Sequence, residues 1–365
     1  MSLLNKRNGI VAAVASFALA ATGFATSVHA ASIQVGVILP DAASSARWET
    51  ADRPFLAAAF KAAGVTYDIQ NANGDKAAFA TIADQMLSNG AKVLLLVNLD
   101  SASATAVQVK AAKQGVKTID YDRLTKGGSE SYYVSFDNVA VGKLQGTGIY
   151  NCLKAKNIAN PQIVYLNGSP TDNNATLFKQ GYVSILGKYV AAKKMTLVAD
   201  QSVPDWDNVK GGVIFEQMLT KAGGKLDAVV SANEGLGLAA VAVLKKNGLN
   251  GKVCVSGQDA SVDGLRAILT GDLSNTVYKA VKAEANAAAA LAVSLIKGTA
   301  AQTNGFLDKV TGNPAAKATA TTVPSVLLTP VGITKRNVKA VIADGFQKKA
   351  DVCKGIEKLC TANGI

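Results

Sequence analysis

Val93-Leu94-Leu95-Leu96-Val97, then a helical pattern over residues 104–114, then Lys117-Thr118-Ile119-Asp120 is the stretch that decides the fold. Five consecutive apolar residues suit a strand covered on both faces, and a helical crossover is what returns a chain to a parallel neighbour. The alternation runs outward toward the N-terminus, with strand-like runs at 33–39 and 66–70 and helical patterns near 55–63 and 77–89. Toward the C-terminus a second series follows, with strands at 162–166, 196–200, 228–232 and 253–256 and helices near 177–189, 209–222, 236–247 and 262–269. The predicted fold class is α/β: two Rossmann-like lobes, each built on a parallel sheet.

Between the two series lie a strand-like run at 132–136 and a helical pattern at 139–153. The second series ends in a short strand at 276–278 and an Ala-rich helix to about Lys297. Residues 311–322 read as a polar, small-residue connection, and 323–328 as a last strand. With a leader removed, about 335 residues remain, more than one core usually supports, so two lobes also fit the length.

The leader is read from Lys6 and Arg7, an apolar stretch over 10–25, and Val28-His29-Ala30, whose small residues fit signal-peptidase cleavage. The apolar stretch is shorter than the roughly 20 residues a span requires, and the later Ala-rich stretch carries Glu284 and Asn286. The expectation is a signal peptide at 1–30 and a soluble, monomeric product in the periplasm. Its single histidine, His29, falls inside that leader, so histidine triads and histidine metal sites are excluded, and no cofactor or metal is expected. Removing Lys6 and Arg7 lowers the net charge from +12 to +10. The surplus is spread as single lysines with no basic stripe interleaved with aromatics, which argues against nucleic acid. Of the four cysteines, Cys353 and Cys360 are close enough to bridge. Cys152 and Cys254 read as buried free thiols.

Seven polar clusters stand where strand-like runs end: Arg47-Trp48, Asp122-Arg123, Asp172-Asn173-Asn174, Trp206, Asn233-Glu234, Asp259 and Lys279. In open parallel sheets such positions converge on one ligand cleft. Arg47 and Arg123 offer forked donors, Asp122, Asp172 and Asp259 accept, Asn174 and Asn233 do both, and Lys279 adds a rotatable donor. Trp48 and Trp206 supply flat faces for the C–H side of a pyranose. The set lacks a nucleophile paired with a base, so it suits holding a polyhydroxylated ligand rather than transforming one.

Each residue also has a plain structural reading. Asp122-Arg123 could be an ion pair, Asp172 and Asp259 helix caps, both tryptophans core residues, and Lys279 solvated surface. Gly235-Leu236-Gly237-Leu238-Ala239-Ala240 imitates a dinucleotide fingerprint but follows an Asn-Glu insertion and is not in the first βαβ unit of its lobe. A secreted glycosidase would place two carboxylates about a bond. A transcriptional regulator would begin with a helix-turn-helix where this chain has its leader.

The chain resembles the type I periplasmic sugar-binding proteins of ABC importers, and among them the D-xylose binders. The resemblance is carried by Arg47-Trp48, Asn71-Ala72-Asn73-Gly74, Tyr121-Asp122-Arg123, Ser135-Phe136-Asp137-Asn138, residues 168–175, Ser256-Gly257-Gln258-Asp259-Ala260, Thr276-Val277-Tyr278-Lys279 and Leu327-Leu328-Thr329-Pro330. It implies that Arg47, Asp122, Arg123, Asp172, Asn174, Asn233, Asp259 and Lys279 hydrogen-bond a monosaccharide whose ring Trp48 and Trp206 flank. D-xylose is favoured over ribose, glucose, galactose and arabinose. It further implies a three-segment hinge near Phe136, Tyr278 and Leu328, with residues 31–136 plus 279–328 in one lobe and 137–278 plus 329–365 in the other. The implied partner is an ABC permease, with a chemoreceptor as a further candidate. Glu234 stands where an aspartate looks usual, adding one methylene beside the ligand.

Overall fold

A computed structural model describes residues 32–365, so the expected leader, its cleavage site and His29 lie outside the described residues. The strands in chain order are β1 Val35–Leu39, β2 Tyr67–Asn71, β3 Val93–Leu96, β4 Lys117–Tyr121, β5 Tyr132–Phe136, β6 Gln162–Asn167, β7 Thr196–Ser202, β8 Ala228–Ser231 and β9 Cys254–Val255. They continue with β10 Thr276–Tyr278, β11 Gly305–Asp308, β12 Pro314–Ala315, β13 Thr322–Leu328 and β14 Val331–Ile333. One sheet runs β12-β11-β13-β5-β4-β3-β1-β2 and a second runs β7-β6-β8-β9, with β10 and β14 as a separate antiparallel pair.

The central strands are buried along their length, as their largely apolar sequences require when helices cover both faces. One hydrophobic cluster joins β1, β3, β4 and β5 to the helix Val281–Lys297 through Ala285, Ala288 and Ala292. Another gathers the second sheet, the helices Asn138–Ala155 and Asn173–Ala191, and β10. The chain passes between the two bodies three times, after Phe136, after Tyr278 and after Leu328.

The connection expected over 311–322 contains the strand β12, and β11, just before it, had no expectation; the two extend the first sheet antiparallel, with Phe306 paired to Ala315 and to Pro324. Two-residue strands with proline and alanine carry no periodicity, and edge position is what admits the proline. The other correction concerns Cys152 and Cys254, which form a disulfide across 102 residues rather than standing as free thiols; Cys353 and Cys360 form the second. Among the described residues no helix is long and apolar enough to cross a membrane.

Several loops that leave strands end in a side chain capping the next helix. Asp100, Asp137, Asp172 and Asn233 each accept a backbone N–H from the first turn. Capping therefore fixes two of the candidate site residues. The helices Asn138–Ala155 and Asn173–Ala191 cross closely enough that a Cβ on Gly142 would lie 2.0 Å from the Phe178 carbonyl. That approach lets Asn138 donate to Asn174 Oδ1 at 2.7 Å and so orients Asn174.

Candidate functional site

All ten candidate residues line one cavity between the two sheets, joined by Ser44, Ser45, Phe178 and Gln258. Arg47, Trp48, Asp122, Arg123 and Lys279 reach it from the side of the eight-stranded sheet, and Asp172, Asn174, Trp206, Asn233 and Asp259 from the other. Both walls meet over it. Ser45 donates to Asp259 at 3.1 Å, Asn233 to the Ser44 carbonyl at 3.3 Å, Asn208 to the Ala43 carbonyl at 3.1 Å, and Asn173 to the Gly312 carbonyl at 2.9 Å.

Asp122 is the hub. It follows β4 at φ +62°, a conformation a side chain adopts only under constraint, and its carbonyl accepts from Tyr133, Ser135 and Asn174. One carboxylate oxygen takes Arg47 Nη1 at 3.0 Å and Lys279 Nζ at 2.8 Å; the other takes Asn174 Nδ2 at 2.9 Å. Burial pushes this carboxyl up, but Lys279 and Arg47 outweigh it and hold the group well below the usual carboxylate range. Arg47 is in turn gripped from behind. Asp52 receives Nε at 2.8 Å and Nη2 at 2.7 Å, and Glu284 receives Nη2 at 2.8 Å.

Arg123 pairs through Nε with Asp172 at 3.1 Å and donates to the Asn98 carbonyl at 3.2 Å. The same Asp172 oxygen accepts the Trp206 indole N–H at 3.1 Å, so one carboxylate joins an arginine of one wall to a tryptophan of the other. Asp205 and Trp206 both have positive φ, which turns the indole inward. The guanidinium carbons of Arg47 and Arg123 lie 4.5 and 5.5 Å from the Trp48 ring centroid, near enough for cation–π attraction. Trp48 Nε1 is buried without a protein partner.

Several plain readings are corrected. Asp122 and Arg123 do not pair with each other: the chain turns sharply at Asp122 and sends the two side chains to different partners. Asp259 does not cap the helix Val262–Thr270, because Ser261 does. Lys279 is buried, not solvated surface. Asp172 is both a cap and part of the cavity wall. Glu234 does not extend toward the cavity. Its carboxyl lies behind the wall, where it accepts from Ser261 N at 2.8 Å and Thr276 Oγ1 at 2.5 Å. Burial, reinforced by the charge of Asp259, pushes it up to about 8.

Asp52 and Glu284 were not legible as site residues, since acids on helical segments ordinarily face water. Burial raises Glu284 from 4.5 to about 8, opposed by Arg47, and one of its oxygens has no hydrogen-bond partner. The folded chain thus keeps a proton that the unfolded chain releases near 4.5, and the stability tied to it is fully present below that pH and lost as pH rises toward 8. Glu284→Gln lacks this term. In urea unfolding across a pH series, the parent is expected to lose ground steadily to Glu284→Gln between about pH 5 and 8; a constant difference would refute the assignment.

Chemically, the wall is a dense donor and acceptor array with apolar faces. No group of three or more His, Cys, Asp or Glu poised for a metal ion occurs among the described residues.

Comparison with known proteins agrees with this architecture. Residues 35–300 match the periplasmic binding protein domain. The chain is 34% identical over 325 residues to the D-xylose-binding periplasmic protein of Escherichia coli K12, covering 89% of this chain and 94% of that protein. It is 31% identical to the multiple sugar-binding periplasmic receptor ChvE of Rhizobium radiobacter, covering 87% and 90%. The crystal structure of an ABC transporter solute-binding protein from Clostridium phytofermentans with bound β-D-glucose superposes with a TM-score of 0.77 at 26% identity, over 87% of this chain and 99% of that one. With matches that span both sheets and nearly the full length of each relative, this chain belongs to the periplasmic binding protein family and has the type I fold of the solute receptors that serve ABC importers.

Proposed function

We propose that this protein is the periplasmic receptor of an ABC sugar importer, enclosing a monosaccharide in the interlobe cavity and delivering it unchanged to a membrane permease. The observation that carries this reading is the cavity itself. Three cations, three carboxylates, three amides and two indoles line one space, and each polar group suits a hydroxyl. Hydrogen bonds to charged groups contribute about 1.5–3 kcal/mol each, so a few of them hold a small sugar tightly.

D-xylose is the favoured ligand, supported by the E. coli relative and by the 34%-identical D-xylose-binding periplasmic protein of Haemophilus influenzae. Another aldose is the second reading, favoured by the multiple-sugar receptor and by the glucose-bound neighbour. The receptor acts as a soluble monomer that needs no cofactor, exported by the leader at 1–30. Its lobes, 31–136 plus 279–328 and 137–278 plus 329–365, rotate about the crossings near Phe136, Tyr278 and Leu328. The permease, and a chemoreceptor where one exists, would read the closed form.

Both tryptophans of the chain line the cavity, so their fluorescence reports on it directly. Ligand-stripped protein titrated with xylose, ribose, glucose, galactose and arabinose is expected to give a saturable change with xylose at low concentration. A response to another sugar alone would keep the receptor and discard xylose. Silence from all five in fluorescence and calorimetry would overturn the receptor reading.

A further inference from the structure

Behind the wall that carries Asp259 sits a carboxyl that never reaches the cavity. The turn over residues 258–261 holds Asp259 at φ +125° and Ala260 at φ +52°. Neither is glycine, and Asp259 in particular occupies backbone space that side chains disfavour. Such a turn persists only if its surroundings over-determine it.

The restraints converge on Glu234. Its backbone N–H donates to the Gln258 carbonyl at 3.0 Å, immediately before the strained pair. One carboxyl oxygen accepts the Ser261 N–H at 2.8 Å and also meets the Ser261 hydroxyl, immediately after that pair. The other meets Thr276 Oγ1 at 2.5 Å, on the strand β10 that leads to Lys279. One residue therefore clamps both ends of the turn and ties it to the neighbouring strand. Asp259 N donates to the Val277 carbonyl at 3.0 Å and Gln347 to the Ala260 carbonyl at 3.2 Å, but neither grips the turn at its ends.

The fold makes a slot for this side chain. A Cβ on Gly264 would stand 2.0 Å from the Glu234 carboxyl carbon, and one on Gly257 2.8 Å from its Cγ. Two glycines on separate segments leave room where any larger residue would expel the carboxyl. The charged group that faces Glu234 is Asp259; Arg47, Lys279 and Asp122 face Asp259 in turn from across the cavity.

Resting on the receptor reading above, we infer that Glu234 is a positioning residue for ligand binding: it holds the 258–261 turn so that the strained Asp259 presents its carboxylate to the sugar. An aspartate here would fall one methylene short of Ser261. The longer side chain thus serves the turn, not the ligand.

The test is a double-mutant cycle read by calorimetry, with whichever of the five aldoses binds the parent protein. Glu234→Ala is expected to weaken binding by about 10- to 100-fold, and Glu234→Gln, which fills the slot and can accept from Ser261 N–H, to recover most of that loss. In an Asp259→Ala background, Glu234→Ala should cost less than about twofold more, because its effect runs through a carboxylate already removed. A loss that persists undiminished in that background, or Glu234→Gln falling as far as Glu234→Ala, would overturn the assignment. Should Glu234→Ala fail to fold, Glu234→Asp takes its place in the cycle and is expected to weaken binding in the same Asp259-dependent way. A parent that binds none of the five sugars would sink the receptor reading itself, an outcome separate from any failure of the cycle.

Discussion

Asp122→Asn is expected to abolish sugar binding and to lower stability by about 3–5 kcal/mol, the cost of leaving a buried charge uncompensated. Asparagine tolerates the left-handed backbone at this position, so the turn after β4 should survive and the effect should be electrostatic. Among the described residues Lys279 forms an ion pair with no other carboxylate and is almost fully buried, so the change strips a buried ammonium of its paired charge. Arg47 keeps Asp52 and Glu284, yet its Nη1 loses its anionic partner on the cavity side. The amide also turns a donor toward one of its three former donors. The variant should show no measurable heat with a sugar that saturates the parent, losing at least about 100-fold in affinity, together with an earlier urea midpoint. Affinity within tenfold of the parent and an unchanged midpoint would show that Asp122 is a bystander.

Part of this network was legible without coordinates, and the reason is topological. Asp122-Arg123 follow β4, Asp172 follows β6, Asn233 follows β8 and Asp259 follows β9, and carboxyl ends of parallel strands all face one edge of their sheet. Strand order along the sequence was therefore enough to bring these residues to one cavity. Their partners were not legible. Sequence adjacency suggested that Asp122 and Arg123 pair, but a left-handed residue reverses the direction of the next side chain, and φ cannot be read from an Asp-Arg dipeptide. Asp52 and Glu284 sit in helical segments where an acid normally means solvent. Only Arg47 explains their burial: it stands five residues before Asp52, but it meets Glu284 from 237 positions away, a pairing no local pattern announces. The resemblance puts Glu234 beside the ligand, as an aspartate lengthened by one methylene; the slot that holds it behind the wall depends on Gly257 and Gly264, which lie 23 and 30 residues on.

The Cys152–Cys254 bridge failed to show in the sequence for a related reason, since one cysteine ends a helix-like segment and the other lies in an apolar run 102 residues away. That separation also makes it the larger stabiliser. Closing a loop of this length removes about 4.7 kcal/mol of unfolded-state entropy, against about 2.4 kcal/mol for the short loop of Cys353–Cys360. Replacing both Cys152 and Cys254 with serine is therefore expected to lower unfolding free energy by roughly twice as much as the same change at Cys353 and Cys360, measured by urea denaturation of the two double variants. The bridge also anchors β9, a strand of two residues paired only to β8, and the turn bearing Asp259 leaves directly from it. Losing the bridge should consequently weaken sugar binding as well, by a few-fold. The tail bridge clips a segment that packs under Arg266, away from the cavity wall, and its loss should spare affinity. If the tail variant were the less stable of the two, or the only one to lose affinity, the long bridge would be incidental to this fold and the tail would have to communicate with the cleft.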